Sequence, residues 1–435
     1  MKKTLIAVAA AAALTATSAF AEITFGAWLR SITGVASNGE DILTGTSNSW
    51  GGMRPSRLNV AGTSEDGNVG FKLDMYYNAG DTIDVGDNAY IWVKPASSVQ
   101  IALGKFDGGE TGLRSDLCYG SWAWLRPNNW IADDEGLTFN GSHTNGLMAK
   151  ITPVDGLVAV VQLPVYNSTW GGNNDAYAAK TATEDAKNTI EDTFKNGMYA
   201  AAYTIEGLGT LKAGYFGSYA EHKKGTTKGK YSISNKSEAK NGKTTWSLDS
   251  DSSTAPSWNA DTETYTKDSE QIGTVNVAFD FNAVENLFVT VGARFGIADK
   301  EFNAGNEKMK FTAGASYQVS DAMKVSVSGG YVLYQDKCTG KDGKDDSAFG
   351  IGAGVDYAIM DGLNAAADLR YKSNAGGDSD GAISFLVGVT KNVSSNGYIG
   401  VGFQGATNGN GLTGIKPNAG DDFVWAIPVS VSVWF

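Results

Sequence analysis

Phe423-Val424-Trp425-Ala426-Ile427-Pro428-Val429-Ser430-Val431-Ser432-Val433-Trp434-Phe435 ends the chain. Phe423, Trp425, Ile427, Val429, Val431, Val433 and Phe435 are apolar and strictly two residues apart. Successive side chains of a β-strand point to opposite faces, so this spacing predicts a strand with one wholly apolar face. The other face, Val424, Ala426, Pro428, Ser430, Ser432 and Trp434, is smaller and mixed.

The same period runs upstream. Val275, Val277, Phe279 and Phe281 alternate with Thr274, Asn276, Ala278 and Asp280. Leu287, Val289, Val291, Ala293, Phe295 and Ile297 alternate with Phe288, Thr290, Gly292, Arg294 and Gly296. Phe311, Ala313, Ala315, Tyr317 and Val319 oppose Lys310, Thr312, Gly314, Ser316 and Gln318. Val69, Phe71, Leu73, Met75 and Tyr77 repeat the pattern near the N-terminus against Lys72, Asp74 and Tyr76. A soluble sandwich also alternates, because one face of each sheet is solvated. The discriminating feature is the polar face, which combines Gly, Ser and Thr with single Lys, Arg and Asp in strand after strand. That is the pattern of a barrel with lipid outside and water inside. Lipid offers backbone groups no hydrogen bonds, so only a closed sheet can span in this way. The predicted fold is all-β: a transmembrane antiparallel up-and-down β-barrel.

Composition agrees by exclusion. Of 435 residues 42% are hydrophobic and 19% charged, while Gly numbers 55, well above the usual ~7%. Only 8 Pro exclude a Pro-rich linker, and 11 Trp, 18 Tyr and 18 Phe argue against disorder. The longest apolar run, Leu5–Leu14, is too short for a spanning helix of ~18–20 residues. It fits the apolar region of a secretory signal instead. Lys2 and Lys3 precede it, and Ser18-Ala19-Phe20-Ala21 follows as a small–x–small cleavage pattern. The expected organisation is a signal peptide at 1–21 and a single barrel domain at 22–435. A net charge of −12 gives no reason to expect a nucleic-acid partner.

The two cysteines, Cys118 and Cys338, either form one bridge between loops or stay unpaired. Two histidines, His143 and His222, form no metal-ligand cluster and accompany no nucleophile motif, so neither an enzyme nor a cofactor is expected. Lys341–Asp346 lacks the spacing of a calcium loop and is read as a charged turn.

Strand parity predicts eighteen strands. Short turns follow the even-numbered ones, at Glu65–Gly67, Pro95–Ser97, Pro153–Gly156, Glu206–Gly207, Asn282–Glu285, Ser320–Asp321, Met360–Asp361 and Val393–Asn396. Long loops fall mostly after odd-numbered strands, at 36–53, 107–143, 167–195, 221–269, 336–346 and 407–421. Outer-membrane barrels have short periplasmic turns, long extracellular loops and an even strand number. Residues 136–142 could form a strand of their own, and sixteen strands remain an alternative. Either number leaves an aqueous lumen.

The signal peptide, the alternating strands and the terminal Phe435 resemble Gram-negative outer-membrane porins, over the whole of residues 22–435. In that family a C-terminal aromatic closes the last strand and is read by the barrel-insertion machinery, a role the resemblance assigns to Phe435. The family folds the long loop after its fifth strand into the lumen as a constriction. Here the corresponding loop is 107–143, after Leu103-Gly104-Lys105-Phe106. The resemblance also implies outer-membrane lipid as the surroundings, a homotrimer, and passive passage of ions and small hydrophilic solutes.

Candidate residues follow from these two readings. In the loop they are Asp107, Glu110, Arg114, Asp116, Arg126, Asp133, Asp134 and Glu135. On the lumen wall, alternation selects the bases Arg30, Arg57, Lys72, Lys212, Arg294, Lys310, Lys324 and Arg370. It selects fewer acids: Asp74, Asp280, Asp356 and Asp368. Opposed charges across a narrow lumen orient polar solutes and set ion preference. Tyr119, Trp122, Trp124 and Trp130 either stack sugar rings, as in a saccharide-selective porin, or pack the loop against the wall. The loop 221–269, rich in Lys, Ser, Thr and Asp, is read as a solvated surface loop. Three functions stand open: a general diffusion porin, a saccharide-selective porin, and a structural protein or adhesin acting through its loops.

Overall fold

A computed structural model of the protein describes residues 22–37, 40–45, 56–78, 82–106, 108–111, 113, 146–164, 190–232, 237–240, 243–246, 257–297, 307–334, 347–373, 381–408 and 423–435. The first third of the chain contributes β1 (Glu22–Ser37), β2 (Ile42–Gly45), β3 (Ser56–Thr63), β4 (Val69–Asn78), β5 (Thr82–Ala96), β6 (Val99–Lys105), β7 (Gly146–Ile151) and β8 (Leu157–Pro164). A short helix, α1 (Ile190–Lys195), precedes β9 (Met198–Ile205) and β10 (Gly209–Ser232). Next come β11 (Ser237–Lys240), β12 (Lys243–Trp246), β13 (Ser257–Phe281), β14 (Leu287–Ile297), β15 (Glu307–Ser320) and β16 (Met323–Tyr334). The chain ends with β17 (Ser347–Met360), β18 (Leu363–Lys372), β19 (Ala382–Ser394), β20 (Gly397–Thr407) and β21 (Phe423–Trp434).

Eighteen of these strands form one closed antiparallel sheet, which decides between the two strand numbers. β2 only pairs back on β1, and β11 with β12 forms a separate hairpin, Ser237↔Trp246 to Lys240↔Lys243. The ring closes where β1 meets β21, from Trp28↔Trp434 to Ser37↔Trp425. Phe435 adds one more rung: its N–H donates to the Ala27 carbonyl at 2.9 Å, and its carbonyl accepts from Ala27 N at 3.0 Å. The terminal residue is therefore part of the seam.

Alternation sorts the wall into two faces. On β18, Leu369 is 59% exposed while its neighbours Asp368 and Arg370 are 3% and 6% exposed. The exposed set continues round the ring through Phe25, Leu58, Ile91, Leu103, Leu211, Val277, Val291, Phe311, Val327, Ile351, Val387, Val401 and Val431. Aromatic rings on this outer face cluster towards the long-loop ends. Tyr199 stacks with Tyr215, Phe295 meets Phe311 edge to face, Phe349 meets Tyr371 at a tilt, and Phe403 meets both Phe385 and Trp425, at centroid distances of 5.6–6.4 Å.

The inner face is not polar throughout. On β6–β9 it carries Ala102, Met148, Val160, Met198, Ala200 and Ala202, all buried, with Phe106 and Leu113 packed among them. Strands that are apolar on both faces lose their alternation. A β-bulge in the β4–β5 ladder places Gly86 against Asp74. A Cβ at Gly86 would lie 2.7 Å from the Asp74 Cβ, so only glycine allows this approach.

The stretch read as the surface loop 221–269 is not loop throughout. Tyr219–Ile272 forms a compact unit in which β10 continues to Ser232 and β13 begins at Ser257.

Candidate functional site

The described site is built on β3–β5 and the root of the loop after β6. Alternation puts Arg57 and Asn59 of β3, Lys72, Asp74 and Tyr76 of β4, and Asn88 and Tyr90 of β5 on the inner face. Asp74 is fully buried and its Oδ2 accepts from Arg57 Nη2 at 2.5 Å and from Asn88 Nδ2 at 2.9 Å. Arg57 Nε donates to Asn59 Oδ1 at 2.9 Å, and Arg57 Nη1 lies 3.5 Å from Asp87. The Tyr76 hydroxyl donates to Asp87. Asp87 has no regular place in the alternation because it sits in the bulge.

The loop root joins this network. Gly104 has φ of 140° and its backbone runs close against β5, where a Cβ would lie 2.2 Å from the Ala89 carbonyl oxygen. Phe106 then packs on Tyr90 with ring centroids 5.1 Å apart. The 3₁₀ turn Gly108–Thr111 presents Glu110, whose Oε1 accepts from Lys72 Nζ and whose Oε2 accepts from the Tyr90 hydroxyl at 2.6 Å.

A second group lies on β10, β13 and β14. Lys212 Nζ donates to Asp280 Oδ2 at 2.7 Å, and Thr290 Oγ1 donates to Asp280 Oδ1 at 2.7 Å. Further on, Arg294 of β14 and Lys310 of β15 are direct cross-strand neighbours, as are Lys324 of β16 and Asp356 of β17. Counted round the eighteen strands, β15–β16 lie diametrically across from β4–β5. Asp368 and Arg370 share the inner face of β18. On β1 the Arg30 guanidinium lies over the Trp28 ring at 4.3 Å, and Trp28 Nε1 donates to Ser432 Oγ at 2.7 Å.

Of the loop candidates, Glu110 is described. Asp107, Arg114, Asp116, Arg126, Asp133, Asp134 and Glu135 lie outside the described residues. So do Tyr119, Trp122, Trp124, Trp130, Cys118, Cys338, residues 1–21 and 341–346. Sequence reasoning missed Tyr76, Asp87, Asn88, Tyr90 and Thr290. Their signal was partial: all but Asp87 share the parity of the charged wall residues.

A family model described as "Putative beta-barrel porin-2, OmpL-like" matches residues 192–403. No curated protein matches the chain. Among solved structures the chain is similar to an anion-selective porin from Comamonas acidovorans, at 12% identity over 95% of this chain and 99% of that one, with a TM-score of 0.47. It is similar to OmpT, an outer membrane protein of Vibrio cholerae, at 11% identity over 95% and 97% of the two chains, with a TM-score of 0.43. A mutant of Rh. blastica porin gives 13% identity, 95% and 100% coverage and a TM-score of 0.42. Eighteen strands close into a ring with an apolar outside and a charge-bearing inside, and a porin family model matches residues 192–403: the chain is a β-barrel similar to the porins.

Proposed function

We propose that this barrel is a general diffusion channel of the outer membrane, passing ions and small hydrophilic solutes without chemistry or cofactor. The observation that carries the reading is the distribution of charge on the inner wall. Glu110, Asp74 and Asp87 gather on the β3–β5 side with Arg57 and Lys72 between them, and Arg294, Lys310 and Lys324, with Asp356 beside Lys324, lie on strands facing it or next to those. Unlike charges across a lumen align dipolar solutes and favour hydrated ones over apolar ones. Two cations on directly opposed wall positions, Arg294 and Lys310, raise the local anion concentration.

The loop 107–143 supplies the constriction in this reading, with Asp107, Arg114, Asp116, Arg126, Asp133, Asp134 and Glu135 as its further charges. Residues 1–21 direct export and are removed. The insertion machinery reads Phe435, and the working form is a homotrimer.

Planar-bilayer recording of the purified protein tests the reading. The expected result is ohmic, unsaturated current in simple salts. A silent protein sinks it, and saturable block by added oligosaccharide replaces it with a saccharide-selective channel. Replacing Arg294 and Lys310 together by Met moves the reversal potential in a salt gradient towards cation preference. An unchanged reversal potential removes these two residues from the filter.

A further inference from the structure

We propose that Glu110 is the tether of the loop that follows β6, a positioning residue that holds the loop root against the inner wall. Its electrical consequence rests on the diffusion reading, whereas its geometry does not. Both carboxylate oxygens are engaged, one by Lys72 of β4 and the other by Tyr90 of β5 at 2.6 Å. Charge-assisted hydrogen bonds of this kind are the strong ones. The turn carrying Glu110 is seated on both sides. Phe106 before it packs on the Tyr90 ring, and Thr111 and Leu113 after it are both 0% exposed. Leu113 N donates to Thr111 Oγ1 at 3.2 Å, and Leu113 belongs to the apolar inner cluster with Met148 and Val160. The receiving strands are braced in turn through Asp74 of β4, which accepts from Arg57 of β3 and Asn88 of β5.

Lys72 and Tyr90 thus change role. By parity they face the solute path, yet their polar atoms are spent on the loop. Neutralising Lys72 therefore acts on loop position before it acts on the field of the lumen. Without the tether, the described loop root is held by the Phe106 and Leu113 contacts.

The test uses trypsin on the folded protein in detergent, because Arg114 and Arg126 are cleavage sites within the loop. A loop whose root is held on the inner wall should resist the protease. Glu110→Gln and Lys72→Met should each raise cleavage after Arg114 about tenfold, within the range typical of a coupling free energy. Tyr90→Phe should raise it less. Exchanging the pair, Glu110→Lys with Lys72→Glu, should restore resistance. Fragment masses separate these cuts from those at the lysines of 221–246. Heat-modifiable migration reports that each barrel is closed, and Tyr90→Phe with Lys72→Met decide the matter if Glu110→Gln does not fold. Equal cleavage in wild type and variants overturns the tether, and so does failure of the exchanged pair to protect. In bilayers, loosened variants should close at lower voltage. A wild-type protein that does not conduct sinks the diffusion reading, while proteolysis still judges the tether.

Discussion

Asp74 shows how a buried charge is kept on a wall that must also face water. It is fully buried, and Arg57 and Asn88 both donate to the same oxygen. Removing one partner of a buried pair leaves the other charge short of compensation, at a cost of about 3–5 kcal/mol in dry interiors. Arg57 is about a fifth exposed, so Arg57→Met should cost somewhat less, about 2–3 kcal/mol after screening. A urea midpoint in micelles reads this directly, and a shift no larger than that of an exposed lysine would contradict the pairing. Gly104→Ala fails for a backbone reason. It forces a side chain at φ of 140° and a Cβ 2.2 Å from the Ala89 carbonyl oxygen. The expected cost is of order 1–3 kcal/mol, with the loop root displaced as its symptom. On the turn between β3 and β4, Ser64 and Asn68 donate to Asp66 and hold its carboxyl below the ordinary aspartate value. A carboxyl lowered in the folded state stabilises above its unfolded pKa and loses that contribution as pH falls through its folded one. A carbon-detected titration should therefore place the Asp66 midpoint below that of a model peptide, and Ser64→Ala should move it back up.

At the scale of the strand, legibility followed the solvent on each side. β13–β21 were readable because one face is lipid-like apolar and the other is Gly, Ser, Thr or charge, so alternation survives in the sequence. β6–β9 were harder because their inner face is itself apolar, with Met148, Val160 and Met198 opposing outward Leu147, Val161 and Tyr199. A two-sided apolar strand looks the same in either register. Asp87 was illegible for another reason: a bulge shifts parity by one, and parity was the tool. The terminal strand was legible to its last residue. Phe435 makes two backbone hydrogen bonds to Ala27 across the closing seam. Deleting it removes one rung and the apolar end of the face. Such a protein should assemble slowly, with a smaller heat-modifiable fraction in the outer membrane. Normal assembly would mean that the seam forms without its last rung.

On the scale of the whole barrel, the wall is uneven. β6 and β9 have 7 and 8 residues, whereas β15, β16, β17 and β19 have 12–14. At ~3.3 Å per residue and a tilt near 45°, β6 and β9 stand about 16–19 Å and β15, β16, β17 and β19 about 28–33 Å. An apolar band is ~25 Å, so these four strands span it and β6 and β9 do not. Among the described residues, the outer aromatic pairs fall on β9, β10, β14, β15 and β17–β21. A sector too low for lipid is relieved when other copies of the chain cover it, which places the contact of the proposed trimer on the outer face of β6–β9. Arginine separates the two sectors. Val327→Arg on β16 puts the charge into lipid and should cost about 2–4 kcal/mol of folding stability, leaving the mass of the assembly unchanged. Val161→Arg on β8 meets the other copies instead. It should lower the mass measured by light scattering in mild detergent from three chains to one, while the unfolding midpoint of the separated barrel moves little. A wild-type mass of one chain removes the trimer. A trimer that survives Val161→Arg moves the contact elsewhere on the wall and leaves local thinning of the bilayer to accommodate the short sector.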